Sequence, residues 1–475
     1  MSNKDFEGKD VLKRPVSNMV FWGVFYFSLG GCILDILGKE GVLEKAREYN
    51  VKFIRLQFTD VFGVFKNIAV TVEELDRALN GQVMFDSSAV EGFVRNREND
   101  IYLYPDPTTF EVFPWRPRDG AVARLICDAT SPGGGAYPAC SRSALKKVLQ
   151  KASESGFQFR VGAQIEFFLF HTDSQGKPTT ATHDQAGFCD LSPVDLGENA
   201  RRDMVLTLEE MGFEISSSHH ENAPGQHEIF IKEDVAPAIA DKIATFKFVV
   251  RNIAQRHGLH ASFMPKPMRQ VNGSGMHLHL SLWCDGENIF DDPTGDLGLS
   301  KNAQHFIGGI LQHARSITAL ANPLVNSYKR ILPNRLYPAR VAWSERNRNT
   351  MIRVPVQRGD DTRIILRSPD PTCNPYLALA AVLQAGLHGI TDKIAPVPFL
   401  PEDSPDPNGF VEIAKEDWLP RSLGDALRAL AADKIIHEAL GEHILRRFLE
   451  VKGSEWDRFQ SEVHPWEVEQ YLANY

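Results

Sequence analysis

The stretch VGAQIEFFLF, residues 161–170, constrains the fold more than any other part of the chain. Its apolar density reads as a buried β-strand, and side chains two apart on a strand point the same way. Gln164 and Glu166 therefore look into one common space from within what is otherwise core. Polar groups carried into a core need partners there, and other segments offer them. In SSSHHENAPGQHEIFI, Glu221 and Glu228 stand on either side of a Pro-Gly turn. In VNGSGMHLHLSL, His277, His279 and Ser281 share one strand face, after a glycine-rich loop able to bring backbone amides close to a ligand. In RIILRSPD, Arg363, Ile365 and Arg367 share one face.

Glu166, Glu221 and Glu228 with a histidine suit a hard divalent ion such as Mg²⁺ or Mn²⁺. The arginines suit phosphate, which a guanidinium binds bidentately. Each segment alone also fits a strand with one face in water. The combination points to a site.

Around these segments the pattern is regular. GVLEKAREYN predicts an amphipathic helix, followed by the strand VKFIRLQFTD and a turn at VFG. DIYLYPD and AVARLICDAT predict further strands, and SPGGGAYPAC breaks the pattern like a linker. A small mixed domain over 49–134 is expected, then a catalytic-type domain over 142–475 opening on the helix SRSALKKVLQKASESG. The last third is mainly helical, with LGDALRALAADKIIHEALGEHILRRFLEVK the clearest periodic run. No repeat or low-complexity tract interrupts this.

The formal net charge of -9 and the lack of a long basic run exclude nucleic acid as an expected partner. Cys32, Cys127, Cys140, Cys189, Cys284 and Cys373 are scattered without a CxxC pair, which fits a reducing cytosol and no thiolate zinc site. MVFWGVFYFSLGGCIL, residues 19–34, is nearly all apolar but short of the roughly 20 residues that span a bilayer. DILGKEG after it is a poor cleavage site. Residues 1–38 are therefore expected to be a partner-binding helix or the product of a misassigned start rather than a membrane anchor, and the chain is expected to be cytoplasmic.

Taken in order, LQFTD, EGFVR, YLYPD, HHENAPGQHE, MPKP, VNGSGMHLHLSL, NSYKR, RNRNTMIRVP and DPTCNPYLALAAVL resemble type I glutamine synthetase, in its short bacterial form without an adenylylation segment. The similarity runs from about residue 39 to 475. It implies an α+β fold: an N-terminal β-grasp domain, then a large α/β catalytic domain whose antiparallel strands form a metal-binding funnel. It also implies rings of subunits, usually two stacked hexamers, with the small domain of one subunit closing the site of the next. The implied reaction phosphorylates glutamate on its γ-carboxylate with ATP, and ammonia then attacks the acyl phosphate.

By the same resemblance, Glu166, Glu221 and Glu228 match ligands of a first metal. Asn272, Gly273, Arg330 and Arg367 match positions contacting glutamate or phosphate. Arg348, Arg353 and Arg363 match arginines around the nucleotide phosphates, in a region that also takes in His279 and Ser281. Arg330 and Arg348 also count as catalytic positions. Asp60 matches the small-domain aspartate that binds and deprotonates ammonium, and Arg95 an arginine linked to feedback inhibition.

The departures are as specific as the matches. The resemblance places glutamate at Gln164 and Ile365, which with His277 would hold a second metal carrying the ATP phosphates. It also places glutamates at Leu336, in the flap that receives ammonium's proton, and at Ser216, near the nucleotide. Removing one preorganised charged group from a transition state costs about 2.7–4 kcal/mol. Losing a proton acceptor costs about 10²–10⁴ in rate.

Three functional expectations follow. The chain is an ATP-dependent ligase joining glutamate to ammonia or to a larger, more apolar amine that suits Leu336. Alternatively it is a catalytically deficient homologue acting as a glutamate-binding regulatory or structural ring. A weaker third is an enzyme using only the first metal for other chemistry. Glu345 or Asp361 reaching toward Ile365 would favour the ligase; an apolar wall there would favour the ring.

Overall fold

A computed structural model describes residues 38–93, 99–117, 119–331, 339–401 and 418–475. The apolar segment 19–34, Arg95 and Leu336 lie outside the described residues. Residues 36–475 form one compact unit.

The predicted first helix forms over Lys39–Glu48 and buries Val42 and Ala46, one turn apart on a single face. The small domain then lays down β1 (Val51–Thr59), β2 (Phe65–Thr71), β3 (Val83–Asp86), β4 (Asp100–Pro105), β5 (Glu111–Val112) and β6 (Ala121–Thr130). Their order is β2-β1-β6-β4-β3, with β5 also on β6. The β1–β6 pair is parallel and the remaining pairs are antiparallel. A parallel pair needs a long crossover, and the chain between β1 and β6 supplies it. This is the mixed small domain expected of a β-grasp unit.

After the Gly-rich turn the helix Ser141–Glu154 leads into β7 (Gln158–Thr172), the long strand that contains VGAQIEFFLF. Next come β8 (Pro178–Thr182), β9 (Ile215–His220), β10 (Gln226–Val235), β11 (Leu259–Ser262), β12 (Met276–Cys284) and β13 (Glu287–Asn288). The last strands are β14 (Arg340–Ser344), β15 (Thr350–Arg353) and β16 (Ile364–Leu366). They form one large sheet with the path β14-β15-β16-β12-β7-β10-β9. Only the β14–β15 pair in it is parallel. β7 and β12 are therefore interior, and Val161, Ala163, Ile165 and Phe167 on one face of β7 are fully buried in the core.

Helices back that apolar face. Pro375–Asp392 starts where Asn374 accepts from the Tyr376 and Leu377 amides and Pro375 occupies the first turn. It packs on Lys301–Gln312 so closely that a Cβ at Gly309 would lie 2.8 Å from the Gly389 backbone. The carboxy-terminal periodic run is not one helix. It breaks into Leu423–Ala432, Lys434–Leu440 and Glu442–Ser461. Asp433 caps the second through the Ile435 and Ile436 amides, and Gly441 turns with φ 74° before the third. No helix among the described residues is long and apolar enough to cross a membrane.

Candidate active site

Sheet register assembles the polar face. Glu166 pairs with Glu228 and Gln164 with Phe230 across β7–β10, while His277 pairs with Gln164 across β7–β12. Because all of these alternate with buried apolar residues, they project to the side of the sheet away from the helices. Carboxylate oxygens of Glu166 and Glu228 and a ring nitrogen of His277 lie within 4.8 Å of one another. Glu228 also groups with Glu221 and His219 within the same distance. The expected first-metal carboxylates are thus brought together, and His277 joins Glu166 and Glu228.

Burial fixes their charge states. Glu166 is raised to about 7, first by burial and then by repulsion from Glu221, against the pull of Arg330. Glu228 is raised to about 9 by burial and by the Glu166 and Glu221 carboxylates. Burial also works on Glu221, but hydrogen bonds from His219 and Asn222 hold it below the usual range. His277 is pushed well below its ordinary value by burial and by Arg367 and Arg330, so it presents a neutral ring. Crowded carboxylates beside a neutral imidazole are the donor set a hard dication stabilises, and the residues fit such an ion.

Second contacts hold these ligands still. The Gln226 amide (3.0 Å) and the Gly275 N–H (2.8 Å) both donate to Glu166. The β9–β10 hairpin rests on a buried cluster that sequence reasoning missed. There Asp184 contacts His183 (3.0 Å) and His220 (3.3 Å) and accepts from the Gly225 amide (2.8 Å). Arg201 bridges Asp195 (2.7 Å) and His227 (2.8 Å) behind them. The strings HHE and GQHE contained this signal, in the histidines flanking each glutamate.

The other expected site residues divide by location. Asn272 is half-buried beside Gly273, where a Cβ would collide with the Pro265 carbonyl and whose own carbonyl accepts from Gln226 (3.2 Å). Arg330 is buried and donates to the carbonyls of Ser368 (2.9 Å) and Arg367 (3.1 Å), directly against Gly275. Arg367 donates to the Arg348 carbonyl (2.8 Å) and is lowered to about 10 by burial and by Arg353, Arg330 and Arg348. Arg348 and Arg353 are exposed, and Arg363 is half-buried beside Asp361 (3.8 Å). Ser281 sits apart with Glu233 (3.4 Å) and Trp283 (3.0 Å). Ser216 is exposed on β9.

Asp60 is only 1% exposed within this subunit: its Oδ1 accepts from the Phe62 and Val64 amides, both at 2.9 Å, which shapes the turn after β1, and its Oδ2 lies 3.8 Å from Lys66 Nζ. Asp86, at the end of β3, is one of several exposed carboxylates of the small domain, kept low by hydrogen bonds from Asn99 and Ser88.

Of the expected second-cation positions, His277 groups with Glu166 and Glu228, and neither Gln164 nor the neighbouring His279 joins a group of carboxylates and imidazoles among the described residues. Gln164 donates to Glu228 (3.3 Å) and accepts from His279 Nε2 (2.9 Å). The Phe230 ring packs on His279 with centroids 4.6 Å apart, and Ile365, 5% exposed, is the β16 partner of His279. Glu345 faces Arg358 at 3.8 Å and Asp361 is an exposed partner of Arg363, so neither replaces the lost ligand.

Comparison with known proteins agrees with this geometry. Residues 50–132 match the glutamine synthetase β-grasp domain and residues 138–471 the glutamine synthetase catalytic domain. The chain is 49% identical over 444 residues to glutamine synthetase from Clostridium saccharobutylicum, covering 92% of this chain and 99% of the relative. It is also 49% identical over 447 residues to the Thermus thermophilus glutamine synthetase, covering 92% and 99%. The solved structure of apo GmaS superposes with a TM-score of 0.81 at 33% identity, covering 90% of this chain and 99% of that one. A GmaS/ADP complex superposes with a TM-score of 0.82 at 32% identity, covering 91% and 99%. The chain belongs to the glutamine synthetase family.

Proposed function

We propose that the chain is an ATP-dependent ligase that joins glutamate to ammonia or another amine through a γ-glutamyl phosphate. The observation that carries this is the pair of groups Glu166–Glu228–His277 and His219–Glu221–Glu228, sharing Glu228, in a chain 49% identical to a glutamine synthetase over 92% of its length. These residues would hold Mg²⁺ or Mn²⁺, which supplies charge stabilisation for the carboxylate being phosphorylated. Asn272, Gly273 and Arg367 orient glutamate; Arg330 holds the Arg367 and Ser368 backbone in place and adds positive potential to the carboxylate pocket. Arg348, Arg353 and Arg363 face the transferring phosphoryl group. The γ-carboxylate oxygen attacks the terminal phosphorus of ATP and ADP leaves. The amine nitrogen then attacks the acyl carbon, the C–O bond breaks, and phosphate departs.

Several finer points belong to the same reading. The small unit over 49–134 closes the site of a neighbouring subunit in a ring, a dodecamer in this proposal, and 142–475 carries the chemistry. The chain works in the cytoplasm, and Leu336 selects an amine more apolar than ammonium.

The second reading is a glutamate-binding ring without synthetase activity, and the apolar Ile365 beside His279 is what favours it. Glutamate labelled with ¹⁸O in its γ-carboxylate separates the two. The ligase transfers label to released phosphate in the presence of ATP and an amine. No label transfer with any amine, in protein that binds glutamate, supports the second reading instead.

A further inference from the structure

His279 and Gln164 satisfy one another. His279 Nε2–H donates to the Gln164 carbonyl, and the Gln164 amide N–H donates on to Glu228. The nitrogen His279 has left, Nδ1, is buried without a hydrogen-bond partner among the described residues, against the Phe230 ring. On the other side the β16 partner is Ile365, whose own β15 partner is Arg353. Arg353 therefore stands across Ile365 from His279, and Arg363, two residues before Ile365, has its Nε buried without a partner. His279 joins none of the clusters of carboxylates and imidazoles among the described residues. A dication there would find an amide already engaged, an imidazole and two alkyl or aryl walls, with guanidinium groups alongside. Hard cations need several oxygen donors, and ligand charge sets their affinity. An anion meets a better donor set, since Arg353 is exposed and Arg363 Nε has no hydrogen-bond partner, while the carboxylate beside Arg363, Asp361, is exposed and 3.8 Å away.

We infer that this chain holds one divalent cation per subunit, among Glu166, Glu221, Glu228 and His277, and that Arg353 and Arg363, flanking Ile365 next to His279, take a phosphate group as the free anion with no second cation. The inference depends on the ligase reading only for the identity of that anion, a nucleoside polyphosphate. Arg353 and Arg363 then do for the phosphates what a bridging cation would otherwise do.

The test uses the full chain and needs no turnover. Bound Mn²⁺ is counted by electron paramagnetic resonance, with and without a non-hydrolysable ATP analogue, and affinity for the analogue is measured in Mg²⁺ and in EDTA. One Mn²⁺ per chain is expected in both cases, lost in Glu228→Gln. Analogue affinity should differ by no more than about threefold between Mg²⁺ and EDTA, because its contacts are arginines. The double variant Gln164→Glu with Ile365→Glu should gain a second Mn²⁺ and become Mg²⁺-dependent. Two Mn²⁺ per wild-type chain, a loss of about tenfold or more on chelation, or no analogue binding at all overturns the inference. A correct cation count with no turnover would count against the ligase reading alone.

Discussion

Glu166 and Glu228 make the site responsive to pH as well as to metal. Both carboxyls are raised in the folded chain, to about 7 and about 9, so the folded state binds protons more tightly than the unfolded one. The sign follows directly. Without cation, the contribution of this pair to stability is greatest at low pH and falls as pH rises from the ordinary carboxylate range through these raised values. Mg²⁺ or Mn²⁺ reverses this, because binding requires both groups ionised. We therefore expect the metal-induced rise in Tm to be small at pH 5.5 and to grow steadily toward pH 9, by differential scanning fluorimetry. A metal shift that is flat or shrinks with pH would contradict the assignment. Asp60 illustrates a different residue-scale role. Asp60→Ala leaves the Phe62 and Val64 amides without their acceptor, and buried donors left unpaired cost about 1–3 kcal/mol. Denaturant unfolding should show that loss while glutamate affinity stays unchanged. LQFTD gave no sign of it, since an aspartate before a turn looks the same whether its carboxylate faces a ligand or the next amides.

Among the elements, one arginine ties the small sheet to two parts of the large domain, alongside Asn374, which donates to the Asp60 and Val61 carbonyls. Arg142, on the helix after the Gly-rich turn, reaches Asp106 (2.7 Å) and Asp128 (3.2 Å) beside the small sheet and Asp241 (2.9 Å) on the helix Ala238–Arg256. Tyr376 completes the network by donating to Asp241 (2.7 Å). Removing one partner from a buried ion network costs about 3–5 kcal/mol, so Arg142→Met should lower the unfolding midpoint by that much. An effect under about 1 kcal/mol would mean that water already screens the network. A second check lies in the helix pair Lys301–Gln312 and Pro375–Asp392, where a Cβ at Gly389 would collide with the His305 carbonyl. Gly389→Ala should destabilise by about 1–3 kcal/mol through overpacking, measured the same way. Strands and helices with clean periodicity were legible in the sequence, as GVLEKAREYN and VGAQIEFFLF illustrate. The carboxy-terminal run was not, because Asp433 and Gly441 interrupt the backbone without interrupting the apolar period.

For the whole molecule, family membership is legible in strings spread along the chain, and the first-cation residues come from three segments that only the sheet register brings together. The glutamates were readable because carboxylates on buried strands are costly without a purpose. Phe230 was readable too, as the residue two after Glu228 on the same face, yet its aromatic ring looked like ordinary core. The large-scale reading we propose is a site that keeps its first-cation carboxylates and its phosphate-facing arginines while Gln164 and Ile365 stand where carboxylates are expected. The central claim is that this site still makes an amide. The most direct measurement is mass spectrometry of the product formed from glutamate, ATP and a panel of amines that includes ammonium, with ADP followed in parallel. The account predicts a γ-glutamyl amide and ADP in equal amounts, dependent on glutamate and abolished in Glu166→Gln. Glutamate binding with neither product nor ADP for any amine would contradict it.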